Sequence, residues 1–459
     1  MCPDLAIALA DAGAATADRV GPKAATLARL HRAGLPVPDG VCLAAGAYTR
    51  QVALADLADT ARQIAAAEPP EARRLALRVR LGLTRVPLDP AVGAALDAAR
   101  TRLASTAGAQ LAVRSSALCE DTAPASFAGQ FETFLGIVEP ADLVTAVRAC
   151  WTSLWSTRAL RYMRACAVDP ARSAMAVLVQ RMVEAEAAGG AFSLTPDDQI
   201  VLTATWGLGA AVAQGEVIPD RYLLRRDASV EMVESGHKEH LVTAAGAGPQ
   251  WRAVPRERIE APCLTDADAS ALGGLVLEAE SALGSAVEIE WAKDGQGFHV
   301  LQARPLRLEP RRATDDVWSR HPALTGQPAG IGWGTGPACV VLEERDLDRV
   351  TLGSVVVTRV GGPALAAVLP RAAGVVAELG GSTSHLAALA RERGIAAVLG
   401  ARGATRRIPE GAAVAVDGIT GVVRWGQFPV APRIDRFRFA QCQGVRRHQP
   451  SSRSTSSAA

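Results

Sequence analysis

The chain has 459 residues, enough for two or three domains with separate cores, and its 49 Lys and Arg nearly balance 47 Asp and Glu. No overall field therefore draws it to nucleic acid or an anionic membrane, and partners must be read from local sites. Eight cysteines without a CxxC pair argue against a zinc site or dense disulfide framework and fit reduced thiols in a cytoplasm, while 49% hydrophobic and 4% aromatic content favours helices and half-buried strands.

The N-terminus is acidic, with no basic stretch before its short apolar one, so no secretory signal is expected. No run reaches the roughly 18 apolar residues of a membrane span. From residue 21, Leu27, Leu30 and Ala33 recur at helical spacing until Gly34, and a strand begins near Val37-Pro38. Residues 52–107 are rich in Ala, Leu and Arg at helical spacing, with breaks at Pro69-Pro70 and Pro87, and predict a helical subdomain. Short strands or half-buried runs are expected at 111–117, 176–183, 189–195, 199–207 and 221–226 within an α+β domain ending near 308. Residues 308–330 carry proline and charge with little periodicity and read as a linker. Beyond it, 331–425 alternates β-branched runs with the helix SHLAALARERG and predicts a small α/β unit. The tail after Pro429 is basic, then Ser-rich, and predicts disorder.

The densest motif is Gly380-Gly381-Ser382-Thr383-Ser384-His385. Two glycines turn the chain after an apolar strand, small hydroxyl residues can cap a helix, and His385 falls in its first turn. Backbone N–H groups and the helix dipole at that end would surround a phosphoryl group. An imidazole with an ordinary pKa of about 6.5 is mostly neutral at pH 7 and can act as a nucleophile. A capping loop whose histidine merely packs satisfies the same spacing. Resemblance separates the two. The stretch, continuing through Arg391-Glu392, Gly394-Ile395, Ala397-Val398-Leu399-Gly400 and Asp417-Gly418 to Gly421, resembles the phosphohistidine swivelling domain of phosphoenolpyruvate synthase, pyruvate phosphate dikinase and rifampicin phosphotransferase. That implies a phosphocarrier role for His385, oriented by Thr383 and Ser384. Ala396 replaces the family's usual proline.

Five upstream patches resemble, in order, the ATP-grasp domain of the same family. Gly21-Pro22-Lys23 opens the series, and by the resemblance Lys23 contacts ATP phosphates; alone, it would read as a solvated cation. Leu111–Ala117 with Glu120-Asp121, followed by Ser126-Phe127-Ala128-Gly129-Gln130-Phe131-Glu132-Thr133, forms the second. A strand carrying Arg114 into a small-residue turn can set a guanidinium and backbone donors on a polyphosphate, and the loop at Gly129 can approach it closely. Thr133 belongs to the same nucleotide site by resemblance. Val179-Gln180-Arg181-Met182-Val183 resembles the hinge strand, where backbone groups meet adenine and Met182 either lines its face or is a core methionine. Trp206-Gly207-Leu208-Gly209 with Gly215 through Tyr222 is the fourth, and Ala210 stands where the family has glutamate. The fifth pairs Glu288-Ile289-Glu290-Trp291 with Leu301-Gln302-Ala303-Arg304-Pro305. Alternation can aim Glu290, Gln302 and Arg304 at one face. The resemblance makes Glu290 and Gln302 ligands of Mg²⁺ and Arg304 a phosphate clamp.

The resemblance thus implies a multidomain α+β and α/β chain: an ATP-grasp nucleotide-binding domain at 1–307, the linker at 308–330, a swivelling phosphohistidine domain at 331–427 and a disordered tail at 428–459. It implies ATP and Mg²⁺ as cofactors and a dikinase-type reaction that phosphorylates His385, with AMP released. The family's acceptor domain has no counterpart in the sequence. The acceptor is expected to be a small molecule bound between the two domains, such as pyruvate, an alcohol or a phenol, to reside on a separate subunit, or to belong to a domain lost by truncation. A nucleotide-binding regulator without catalysis is the remaining alternative, for which Ala210 is the one hint.

Overall fold

The computed structural model describes residues 5–11, 16–104, 109–120, 127, 130–244, 248–306, 318 and 321–426. Gly129, the expected tail at 428–459 and most of 308–320 lie outside the described residues.

Helix α1 (Ala17–Arg32) is interrupted at Gly21, whose φ of 76° is left-handed, and restarts at Pro22. Only glycine fits there, because a Cβ would come within 2.2 Å of the Ser116 hydroxyl. The restarted turn is capped from outside: Ala24 N–H donates to Ser116 Oγ at 3.3 Å, and that hydroxyl donates to Val20 O at 2.9 Å. A first antiparallel sheet takes β1 (Ala6–Ala8), β2 (Gly40–Leu43), β3 (Leu111–Ala117), β4 (Thr133–Ile137) and β5 (Met175–Arg181) in the order β1-β2-β5-β3-β4. Between β2 and β3 run α2 (Ala45–Leu54), α3 (Ala58–Ala66), α4 (Pro69–Arg85) and α5 (Pro90–Leu103). Pro69, read as a break, is also a start: it opens α4, and Pro90 opens α5 in the same way, where a missing N–H costs nothing. With α6 (Pro140–Ser153) these helices bury Leu83, Leu96 and Trp151 against Val113 and Val177.

After α7 (Thr157–Ala165), a second antiparallel sheet combines β6 (Ala187–Phe192), β7 (Ile200–Trp206), β8 (Asp220–Leu224) and β9 (Val230–Glu234) with two later strands. The short helix α8 (Ala210–Ala213) follows β7, and β10 (His240–Ala244) and β11 (Pro249–Ala253) form a separate ribbon. Helix α9 (Asp266–Leu283) then leads into the hairpin β12 (Val287–Asp294) and β13 (Gly297–Pro305), giving the order β13-β12-β6-β7-β8-β9. One face of this sheet is apolar. Ile289, Trp291, Ala191 and Leu202 pack there with Leu272 and Val276 of α9 and with Leu27 and Leu30 of α1. Residues offset by one position, among them Glu288, Glu290, Gln302 and Arg304, are turned the other way by the pleat.

The third sheet contains β14 (Ala323–Thr325), β15 (Gln327–Pro328), β16 (Trp333–Val341), β17 (Ser354–Thr358), β18 (Ala372–Ala377), β19 (Ala396–Leu399), β20 (Ala413–Asp417) and β21 (Val422–Gly426), in the order β14-β21-β20-β16-β17-β18-β19-β15. Strands β16 to β19 run parallel. The helix between β18 and β19 is α10 (His385–Glu392), and α11 (Ala404–Arg407) precedes β20. Residues 323–328, read from the sequence as linker, instead extend the sheet at both edges through pairing with β21 and β19. Segments of two and three residues show no measurable alternation, so only the pairing itself reveals them. Among the described residues no helix is long and apolar enough to cross a membrane.

Candidate active site

A single register line crosses the second sheet: Gln302 on β13 pairs with Glu290 on β12, Glu290 with Gly190 on β6, and Gly190 with Thr203 on β7. Two residues along, Arg304 pairs with Glu288 and Glu288 with Phe192. A period of two sets both lines on the polar face. The Glu290 side chain is 48% exposed, whereas Glu288 is buried and bound by Arg304 at 2.9 and 3.1 Å.

Lys23 on α1 and Arg114 on β3 reach the same region. Lys23 Nζ donates to Ser115 O at 3.0 Å and lies 3.5 Å from Glu120. Arg114, buried, donates from Nη1 to Leu301 O at 2.5 Å and holds Nη2 3.8 Å from Glu290. It therefore ties β3 to β13. Burial lowers its pKa and Glu290 opposes that. Thr133 is exposed and stands opposite Arg114 in the β3–β4 ladder.

Gln180 is placed differently from the other sequence-derived residues. It lies inside β5 between Gly40 and Ala112, and its amide donates to Pro38 O at 3.1 Å. Its side chain is thus committed to holding β5 against the loop before β2. Met182 Sδ accepts from Gly136 N–H at 3.1 Å and packs with Leu135 against Leu208, Val212, Val217 and Val242. Ala210 packs against that same apolar cluster at the start of α8.

His385 opens α10 directly after Ser384, whose buried hydroxyl caps the helix by accepting from Ala387 N–H at 3.3 Å. The preceding loop is docked on the polar face of the second sheet. Gly380 N–H donates to Val217 O at 3.1 Å, and Gln327 joins the two sides, donating to Pro219 O at 2.8 Å and accepting from Ser382 N–H at 3.3 Å. Thr383 Oγ1 lies 2.8 Å from Thr203 Oγ1. Arg391 clamps the far end: both Glu288 oxygens accept from it at 3.3 Å, Ser382 O accepts at 2.5 Å, and its guanidinium lies 4.7 Å from the Phe192 ring centre.

This docking puts the imidazole among the groups of the other half. His385 keeps access to solvent, yet surrounding protein desolvates it and pushes its pKa below the ordinary value. Glu290 opposes the shift; the charges of Arg304, Arg158 and Lys23 reinforce it. The shift is toward the neutral imidazole, in the field of three cations. Glu288 is displaced for another reason. Burial pushes its carboxyl up, but the charges of Arg304 and Arg391 and their hydrogen bonds outweigh that and hold it below the usual range.

The arrangement can bind a polyphosphate between Lys23, Arg114 and Arg304 and offer its phosphorus to His385. Among the described residues no cluster of three or more His, Cys, Asp or Glu could hold a metal alone. The half-exposed Glu290 carboxylate with the Gln302 amide across the ladder instead fits Mg²⁺, which is held by one or two protein oxygens plus substrate phosphates.

Residues 17–322 match the AMP/ATP-binding domain of pyruvate phosphate dikinase, and 350–421 match the mobile domain of PEP-utilising enzymes. The chain belongs to the pyruvate phosphate dikinase family. The fold class is therefore multidomain α+β and α/β, a nucleotide-binding part followed by a phosphohistidine-type mobile part. Similar proteins include the phosphoenolpyruvate synthase of Aeropyrum pernix, 31% identical over 463 residues, covering 89% of this chain and 56% of that protein. The probable phosphoenolpyruvate synthase of Methanothermobacter thermautotrophicus is 31% identical, covering 88% of this chain and 61% of that protein. The Pyrococcus furiosus phosphoenolpyruvate synthase is 30% identical, with 89% and 57% covered. This dikinase-family chain thus spans less than two thirds of the length of these relatives.

Sequence reasoning missed Thr203, Arg158 and the bond from Tyr162 to Glu392. It quoted Glu288 and Arg391 only as parts of motifs. The alternation that singled out Glu290 also selects Glu288, so that signal was present; Arg158 and Tyr162 gave none.

Proposed function

We propose that this chain is an ATP-dependent phosphotransferase that carries a phosphoryl group on His385. The observation that carries the reading is the docked loop, which sets a desolvated imidazole in one field with Lys23, Arg304 and Glu290. Lys23, Arg114 and Arg304 hold the phosphates of ATP, and the apolar cluster around Met182 and Leu208 takes its base. One imidazole nitrogen bonds to the β-phosphorus as the bridge from that phosphorus to the α-phosphate breaks, and AMP leaves with the bridging oxygen. Water then takes the γ-phosphoryl group as inorganic phosphate, leaving one phosphoryl on His385. Glu290 and Gln302 hold Mg²⁺, which supplies charge neutralisation at the phosphates. The cations hold positions where negative charge develops, so little reorganisation accompanies transfer.

The acceptor pointed to by the relatives' names is pyruvate. The test is incubation of the purified chain with Mg²⁺ and ATP carrying label at either the β or the γ position. Acid-labile β label is expected on the wild type and not on His385→Ala, with AMP formed in step. Absence of label and AMP sinks the reading. Pyruvate added to the labelled chain is expected to discharge it as phosphoenolpyruvate; discharge only by an alcohol or phenol would replace the acceptor while keeping the donor half.

A further inference from the structure

Helix α7 faces α10 across the two halves. The Tyr162 hydroxyl donates to the Glu392 carboxylate, accepts from Phe127 N–H at 3.4 Å, and its ring lies 4.6 Å from that of Phe127. Arg158 and Tyr162 are four residues apart on α7, and His385 and Glu392 seven apart on α10, so each pair lies along one helix face. The Arg158 charge acts on the His385 imidazole, while Cys166 at the C-terminal end of α7 sits in the field of Glu392 and Arg393, so the two helices run the same way past the Tyr162–Glu392 contact and Arg158 lies toward the His385 end of α10.

The Arg158 guanidinium is incompletely used. Nη2 donates to Gln130 O at 3.0 Å and to Glu132 at 3.2 Å, while Nε is buried with no hydrogen-bond partner among the described residues. The side chain is 35% exposed and Glu132, its one carboxylate partner among the described residues, 52%. A fork held on one edge with a buried donor still unmet fits an oxyanion better than it serves as a closed structural ion pair.

We infer that Arg158 is a catalytic residue of this phosphotransfer, its guanidinium binding the phosphoryl oxygens while the group forms on and rests at His385. The inference rests on the phosphohistidine reading above. Lys23 and Arg304 approach from the nucleotide side, and Arg158 adds a third cation from α7, on a helix whose neighbour Tyr162 registers α10. The bond made and the bond broken are those of the transfer to His385. Arg158 contributes charge and donors and takes no proton.

The experiment is single-turnover labelling of His385 from β-labelled ATP with Mg²⁺, run on wild type, Arg158→Gln, Arg158→Lys and Glu132→Gln, with ATP affinity measured separately. Arg158→Gln is expected to label roughly 100-fold more slowly at saturating ATP, with ATP affinity within about threefold. Arg158→Lys should recover part of the rate because it keeps the charge, and Glu132→Gln should label within about threefold of wild type. The pH at which labelling by Arg158→Gln falls away should lie above that of wild type, since a charge opposing protonation of the imidazole has gone while Glu290, Arg304 and Lys23 remain. Wild-type rates in Arg158→Gln overturn the inference. So does an equal loss in Glu132→Gln, which would make Arg158 a holder of Glu132, or a loss confined to ATP affinity. A wild type that takes up no β label overturns the phosphohistidine reading and this inference with it.

Discussion

Thr383 occupies the notch left by the missing side chain of Gly190: a Cβ there would come within 2.6 Å of the Thr383 methyl carbon and 2.7 Å of its Cβ. Because Thr383 is also held by Thr203 at 2.8 Å, it cannot simply turn aside. Gly190→Ala is thus expected to leave ATP binding intact while forcing the His385 loop off the sheet. Overpacking of this kind costs about 1–3 kcal/mol, or roughly 5- to 150-fold in the rate of His385 labelling. Wild-type labelling by this variant would sink the view that the docked geometry delivers the histidine.

The pair formed by Glu288 and Arg391 crosses between the halves, so it should govern how firmly they dock. Removing one charged hydrogen-bonding partner in Arg391→Met is expected to cost about 2 kcal/mol at pH 7, read by thermal unfolding. The carboxyl of Glu288 has a lowered pKa in the folded chain. Its contribution is then fully present above the unfolded value of about 4.3 and is lost as pH falls through the lower folded value. The gap between wild type and variant should narrow through that acid window; a gap independent of pH would remove Glu288 from the account.

His385 is pushed the other way relative to its charge state, toward the neutral imidazole. Labelling should therefore stay near its maximum as pH falls from 8 to about 6.5 and decline only below that value. A profile already half-lost at pH 6.5 would contradict a desolvated, cation-flanked histidine.

Asp220 stands in a nucleotide-site motif, yet its bonds are internal. It accepts from Gly236 N–H at 2.7 Å and Cys263 N–H at 2.8 Å, and it pairs with Lys238, both side chains being fully buried. Lys238→Met leaves a buried carboxylate without its cation and is expected to lower stability by about 3–5 kcal/mol. Labelling per folded molecule should not change. A stable variant with defective labelling would instead place the pair in the chemistry.

Legibility followed the source of each signal. Strands β5, β7 and β17 are largely runs of apolar or β-branched residues between turn residues, and the motif around His385 carries its own cap, so local sequence is enough to find them. Strands β9 and β11 are almost wholly exposed, Met232, Val233 and Trp251 included, and β15 is two residues long; their order comes from a neighbouring strand and leaves no pattern of burial. The cleft residues divide the same way. Glu290, Gln302 and Arg304 share one hairpin, where alternation reports their common face. Tyr162 and Glu392 are 230 residues apart, and only the docking of the two halves brings them together.

The register line from Gln302 through Glu290 and Gly190 to Thr203 uses four strands, each contributing one residue. Slipping any strand by a single position would send its polar residues into the apolar side and its Ile, Trp or Leu outward. A misfolded chain with β12 displaced would bury Glu288 and Glu290 against α9 and present Ile289 and Trp291 on the face that carries the His385 loop. Folding fidelity and the geometry of the proposed site are thus enforced by one and the same pairing, so a mispaired chain would lack that site altogether.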